Sequence, residues 1–135
     1  MVDGKDYLNQ IKTLLDSRKF STAQREIKKG LELFPNQLDL LITATDVFRA
    51  SGNFKKSLEY AELLITHHPN NWNGYGRSAK DFLILKHFEK AQLRIEEGLE
   101  RFPNQLDLLI FAVDVFRASG NCPKALEYGK LLINH

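Results

Sequence analysis

The chain has one cysteine, Cys122, so no disulfide can close within it and its fold must rest on packing, as in a reducing compartment. It also lacks any stretch approaching the roughly 20 apolar residues that cross a bilayer. Met1 to Asp6 carries charge where a secretion signal needs an apolar run, so a cytoplasmic protein without membrane contact is expected. Charge of one sign is missing as well: 19 Lys and Arg stand against 17 Asp and Glu, interleaved, for a net charge of +2. That balance offers no clustered basic face, so nucleic acid is not an expected partner. His67, His68, His87 and His135 do not fall at the paired spacing of a metal site. Gly74-Tyr75-Gly76 neither follows a strand nor ends in Lys-Ser, which excludes a phosphate loop, and Cys122 has no context for a nucleophile. Catalysis, a cofactor and a metal are therefore all unexpected.

What the chain has is repetition. Phe34 to Ile42 recurs letter for letter as Phe102 to Ile110, 68 residues on, and Val47 to Asn53 recurs as Val115 to Asn121. Arg18 to His67 laid on Lys86 to His135 agrees at roughly two thirds of positions. Pro35, Pro69 and Pro103 are 34 residues apart, so each 68-residue block is two repeats, and the chain divides into repeats of about 4–37, 38–71, 72–105 and 106–135. With 43% hydrophobic and 27% charged residues, one folded domain is expected over 1–135.

Apolar residues at Tyr7, Leu8, Ile11, Leu14 and Leu15 have the three-and-four spacing of a helix running from about Gly4 to Ser17. After a break at Arg18-Lys19, Phe20, Ala23, Ile27, Gly30, Leu31 and Phe34 mark a second helix, stopped by Pro35. The pattern then continues as helix pairs. Asn36 is expected to cap the third helix, Gly52 to take the left-handed conformation after it, and Asn53 to cap the fourth. Asn121 is expected to cap the eighth, with Pro123 in its first turn. The third repeat opens Trp72-Asn73-Gly74-Tyr75-Gly76, where two glycines in the first turns either admit a neighbouring aromatic or leave a notch for a ligand.

Residue size adds a second regularity. The first and third repeats pair Ile27 with Gly30 and Ile95 with Gly98, whereas the second and fourth pair Ala61 with Leu64 and Gly129 with Leu132. Each pair is three residues apart on one face, so the interfaces should alternate between two types with a structural period of 68.

Helix pairs of 34 residues, each closed by Pro-Asn and with a small residue early in the second helix, resemble the tetratricopeptide repeat. The family's alanine stands at Ala23, Ala91 and Ala125, with Ser57 in the second repeat. Its Trp-x-x-Leu-Gly signature is replaced by Tyr7, Leu41, Tyr75 and Leu109, with Gln10, Ala44, Ser78 and Ala112 three residues later. The resemblance implies an all-α, right-handed α-solenoid of four antiparallel helix pairs, eight helices in all. It also implies a non-catalytic scaffold that binds a protein, as an extended peptide or a partner helix, in a concave groove lined by the first helices.

Transferring the family's helical phase puts Lys5, Asn9, Lys12 and Asp16 of the first repeat in that groove. The second adds Asp39, Thr43, Asp46 and Arg49, the third Asn73, Arg77 and Lys80, and the fourth Asp107, Phe111, Asp114 and Arg117. Lys5, Asn9, Asn73 and Arg77 partly match the carboxylate clamp of chaperone-serving members, but Thr43 stands where that clamp has asparagine, and Asn73 where it has lysine. Phe111 is the expected anchor, because its counterpart one block earlier is Thr43. Tyr128, Leu131, Leu132 and Ile133 are expected to be exposed on the last helix, which fits a segment of a longer array or a homo-oligomer contact. Two other readings follow, a structural module stacking end to end and an accessory repeat domain of a larger enzyme.

Overall fold

The structure is a computed structural model that describes residues 4–134; His135, one of the four histidines considered above, lies outside them. Eight helices make up the described regular structure, α1 (Gly4–Asp16), α2 (Phe20–Leu33), α3 (Leu38–Ala50), α4 (Phe54–His67), α5 (Asn73–Ile84), α6 (Phe88–Arg101), α7 (Leu106–Ala118) and α8 (Cys122–Ile133). They fall into two compact units, Met1–His68 with α1 to α4 and Pro69–His135 with α5 to α8. In the first unit α3 packs on α1, α2 and α4, and in the second α7 packs on α5, α6 and α8.

Each helix pair turns on a left-handed residue, and these residues are 34 apart: Arg18 (φ 57°), Gly52 (φ 79°), Lys86 (φ 64°) and Gly120 (φ 81°). The amide that follows each one donates back across the turn, Lys19 to Leu14, Asn53 to Phe48, His87 to Phe82 and Asn121 to Phe116, all at 2.8 Å. Glycine takes this conformation freely, whereas Arg18 and Lys86 hold it against a steric cost of about 1–2 kcal/mol. As expected, the Asn53 and Asn121 side chains then cap the next helix, each accepting from an amide three residues on, at 3.2 Å.

Asn36 departs from expectation. It caps nothing; it is itself left-handed (φ 62°), and Gln37 occupies the start of α3 without a side-chain cap. Asparagine tolerates positive φ, and Asn36 takes it, whereas Asn104 in the identical letters of the second unit does not; there too the residue after it, Gln105, occupies the helix start without a side-chain cap. The His68 ring Nε2 donates to the Asn36 carbonyl at 2.6 Å and ties this turn to the end of α4.

The core of each unit is built by size matching. Ala23, Ser57, Ala91 and Ala125, the small residues early in each second helix, are all buried, which lets each hairpin close. Around them in the first unit lie Ile11, Ile27, Leu40, Val47 and Phe48, and in the second Ile95, Leu108, Val115 and Phe116. Each buried large side chain contributes about 1.5–3 kcal/mol. Two aromatic contacts recur at the 68-residue period: Tyr7 meets Phe34 at 6.4 Å and Tyr75 meets Phe102 at 6.2 Å, while Phe48 stacks on Tyr60 and Phe116 on Tyr128, both at 5.5 Å.

The glycines of α2 and α6 explain the alternation of large and small. A Cβ at Gly30 would lie 3.3 Å from the Tyr7 ring, and one at Gly98 would lie 2.8 Å from Tyr75 Cβ. Tyrosine from the first helix therefore rests on bare backbone of the second. Gly98→Leu is expected to lower the melting temperature, at a cost of about 1–3 kcal/mol. Gly129 has open space around it and serves as control, with Gly129→Ala gaining about 0.5–1 kcal/mol. Thermal unfolding by circular dichroism checks both, and an unshifted transition in Gly98→Leu would refute the interlock.

Candidate partner-binding surfaces

The first helices present the predicted residues unevenly. On α1, Lys5, Asn9, Lys12 and Asp16 are exposed. Asn9 also borders a hollow of about 520 Å³ with Gln10, Thr13 and Leu14 of α1 and Thr22 and Glu26 of α2. On α3, Asp39 is exposed and Asp46 and Arg49 are half-buried, but Thr43 is only 5% exposed. This corrects the expectation for Thr43. Seven of the 13 residues of α3 are buried, Thr43 among them, so the helix keeps too narrow a free face to include it.

The second unit draws its predicted residues together. Asn73, Arg77, Lys80, Asp107, Phe111 and Asp114 are half-buried, and Arg117 is exposed. Asn71 Oδ1 accepts from the Asn73 amide and side chain, both at 2.9 Å, and Arg77 Nε donates to Asn73 Oδ1 at 3.1 Å. Arg117 pairs with Asp114 at 2.9 Å. The Phe111 ring packs over Gly76, where a Cβ would sit 3.0 Å away, and Lys80 Nζ lies 4.8 Å from its centroid. The α5 notch at Gly76 is thus filled from within by an aromatic side chain, one of the two roles expected of those glycines. A cation over a partly exposed ring contributes about 0.5–1 kcal/mol.

Asp81 is not among the residues that the sequence singles out. It is fully buried in α5 and engaged within the protein. A signal exists, because 34 residues to either side stand Val47 and Val115, both core residues. Ser78 likewise replaces Ala44 and Ala112, and it satisfies its hydroxyl by donating to the Gly74 carbonyl at 2.7 Å.

A second surface lies on the second helices and occurs once in each unit. In the first, Lys28 and Leu31 of α2, Pro35, Leu41 of α3, and Lys56 and Tyr60 of α4 line a groove of about 380 Å³. In the second, the residues 68 positions on, Glu96, Leu99, Pro103, Leu109, Lys124 and Tyr128, line one of about 340 Å³. Lys124 Nζ reaches across to Glu96 at 3.1 Å, whereas Lys56 lines its groove together with Lys28 and pairs with Glu59 of its own helix at 3.1 Å. Polarity is inverted nearby as well: Glu26 pairs with Lys29, while Arg94 pairs with Glu97 at the corresponding positions. The inversion is visible in the sequence once the two blocks are aligned.

On α8, Leu131 and Ile133 are exposed as predicted, at 49% and 86%. Tyr128 and Leu132 are half-buried instead, Tyr128 because it stacks on Phe116. Leu126, at 61%, adds to the exposed face. Among the described residues no helix is long and apolar enough to cross a membrane.

Burial pushes the phenols of Tyr60 and Tyr128 up. Hydrogen bonds hold two lysines above their usual range, Lys56 through Glu59 and Lys124 through Glu96. All four groups keep their protons longer when folded. The unfolded chain therefore ionises first as pH rises past about 10, and stability present below that point is lost as pH climbs through the folded values. The melting temperature is expected to fall above pH about 10, with a shallower fall in Tyr128→Phe. An identical alkaline slope in the variant would refute the assignment.

No family model matches the chain, nor does any curated protein. Solved structures do. A thermophilic TPR protein of Thermus thermophilus superposes with a TM-score of 0.83 at 16% identity, covering 97% of this chain and 73% of that one. The Sgt2 TPR domain from Aspergillus fumigatus gives 0.79 at 17%, covering 89% and 81%. MamA gives 0.81 at 14%, covering 97% and 72%. The chain has the tetratricopeptide-repeat fold, an all-α solenoid of helix hairpins.

Proposed function

We propose that the chain is a non-catalytic protein-interaction scaffold whose first helices bind an extended peptide or a partner helix. The observation that carries this reading is Phe111. Its ring packs against Gly76, with Lys80 Nζ 4.8 Å from its centroid, and part of its surface is left in solvent. An aromatic group already ordered before binding forfeits little entropy when a partner covers it. Asn73, Arg77, Asp107, Asp114 and Arg117 lie on the same two helices, α5 and α7, with both signs of charge, which suits a polar peptide backbone with mixed side chains. The same reading extends to Lys5, Asn9, Lys12, Asp39, Asp46 and Arg49 on α1 and α3. An exposed, unbridged Cys122 fits a reducing, cytoplasmic setting.

Peptides selected from a displayed library on the immobilised protein test the proposal. Phe111→Thr, which installs the residue of the first block, is expected to weaken the selected peptides about tenfold, or about 1.4 kcal/mol. Isothermal titration on variants confirmed as folded measures the loss. Equal affinity for wild type, Phe111→Thr and Arg77→Glu would overturn the reading.

The exposed Leu126, Leu131 and Ile133 of α8 favour a second reading, a self-association face at this end of the chain. Light scattering across a concentration series is expected to show an oligomer that Leu131→Lys with Leu126→Lys returns to monomer. A wild type that stays monomeric throughout would exclude it.

A further inference from the structure

We propose that the groove between α2 and α4 binds an extended peptide segment in which an acidic residue stands beside an apolar one. This goes beyond the first-helix reading, since it concerns other helices and names the chemistry of the occupant.

The second unit shows what the first lacks. There, Glu96 on α6 sets a carboxylate at the mouth of the groove, 3.1 Å from Lys124 on the opposite wall. The corresponding positions of the first unit are Lys28 and Lys56. The two positions that hold an acid and an amine in one groove thus hold two amines in the other. Among the described residues Lys28 has no ion-pair partner, and Lys56 turns to Glu59, a pair with side chains 39% and 66% exposed. Exposed pairs of that kind are weak and readily exchanged. A carboxylate arriving between the two amines meets both, as Glu96 meets one. Beneath them Leu31, Leu41, Pro35 and Tyr60 form an apolar floor, which calls for a hydrophobic side chain next to the acid. Glu32, at the same groove, sets a limit on how many acids it accepts and disfavours a run of them.

The two units make the test reciprocal. The charged positions of the grooves differ at one place, Lys28 against Glu96, whereas Glu32 matches Glu100 and Lys56 matches Lys124. A short fluorescein-labelled peptide of alternating glutamate and leucine is titrated with the whole chain, and fluorescence anisotropy is read at low and high salt. Wild type is expected to bind one peptide, more weakly as salt rises. Lys28→Glu is expected to weaken binding at least about tenfold, a change of about 1.4 kcal/mol. Glu96→Lys opens the second groove and is expected to raise the stoichiometry from one to two. Both positions lie at the surface, and far-ultraviolet circular dichroism verifies the folds. The proposal is overturned if wild type shows no saturable binding, if Lys28→Glu binds as wild type does, or if a lysine-leucine peptide binds equally well. Sedimentation that revealed self-association abolished by Lys28→Glu would assign the groove to a second copy instead, and would overturn it too. Phe111 and Arg77 play no part in this experiment, so its outcome is independent of the first-helix reading.

Discussion

A tyrosine laid on glycine backbone sets the internal spacing of each unit. Tyr7 over Gly30 and Tyr75 over Gly98 bring first and second helix together at a distance that no larger residue on the second helix would allow. Leu40 and Leu108 approach the same two glycines from the following first helix, so a missing side chain locks three helices at once. Such a joint is sensitive to the addition of a single carbon, because close-packed interiors respond to volume changes of that size. The second and fourth repeats have Leu64 and Leu132 at the equivalent place, which is why geometry recurs with a period of four helices and not two.

Much of this architecture is legible in the letters. Helical period, the proline stops, the Asn53 and Asn121 caps and the left-handed Gly52 all follow from local rules. What escapes is decided by competition between rules. Asn36 is a good cap and also tolerates positive φ; it takes the left-handed conformation, which Asn104 in the identical letters does not, so the letters alone do not decide it. Arg18 and Lys86 give no compositional sign of their left-handed geometry; it shows only when they are aligned with Gly52 and Gly120. Thr43 is polar and sits on the expected groove face, yet α3 packs on three neighbours and covers it. Tyr128 looks exposed in the sequence because its partner, Phe116, is twelve residues away and on another helix.

The candidate surfaces are less legible than the fold. A family phase places residues on a face but does not say which are already engaged, and Asn73 with Arg77 turn out to bind each other. The second-helix grooves need three elements and a turn to exist, so no window of sequence contains one. Their inverted charge is nonetheless written in the self-alignment, as Lys28 against Glu96.

The duplication also records divergence. Pro35 and Pro103 are both exposed, as are Glu59 and Glu127, and both pairs are unchanged. Pro35 and Pro103 match because each follows the end of a helix and lines a groove, whereas an isolated surface position tolerates most substitutions within about 0.5 kcal/mol. The differences are unevenly spread. Helices α3 and α7 differ at two positions, Thr43 with Phe111 and Thr45 with Val113, whereas α2 and α6 differ at half of theirs. Helices α2 and α6 have therefore diverged further than α3 and α7, and the two grooves that they help to line, alike in shape and apolar lining, have come to differ in charge.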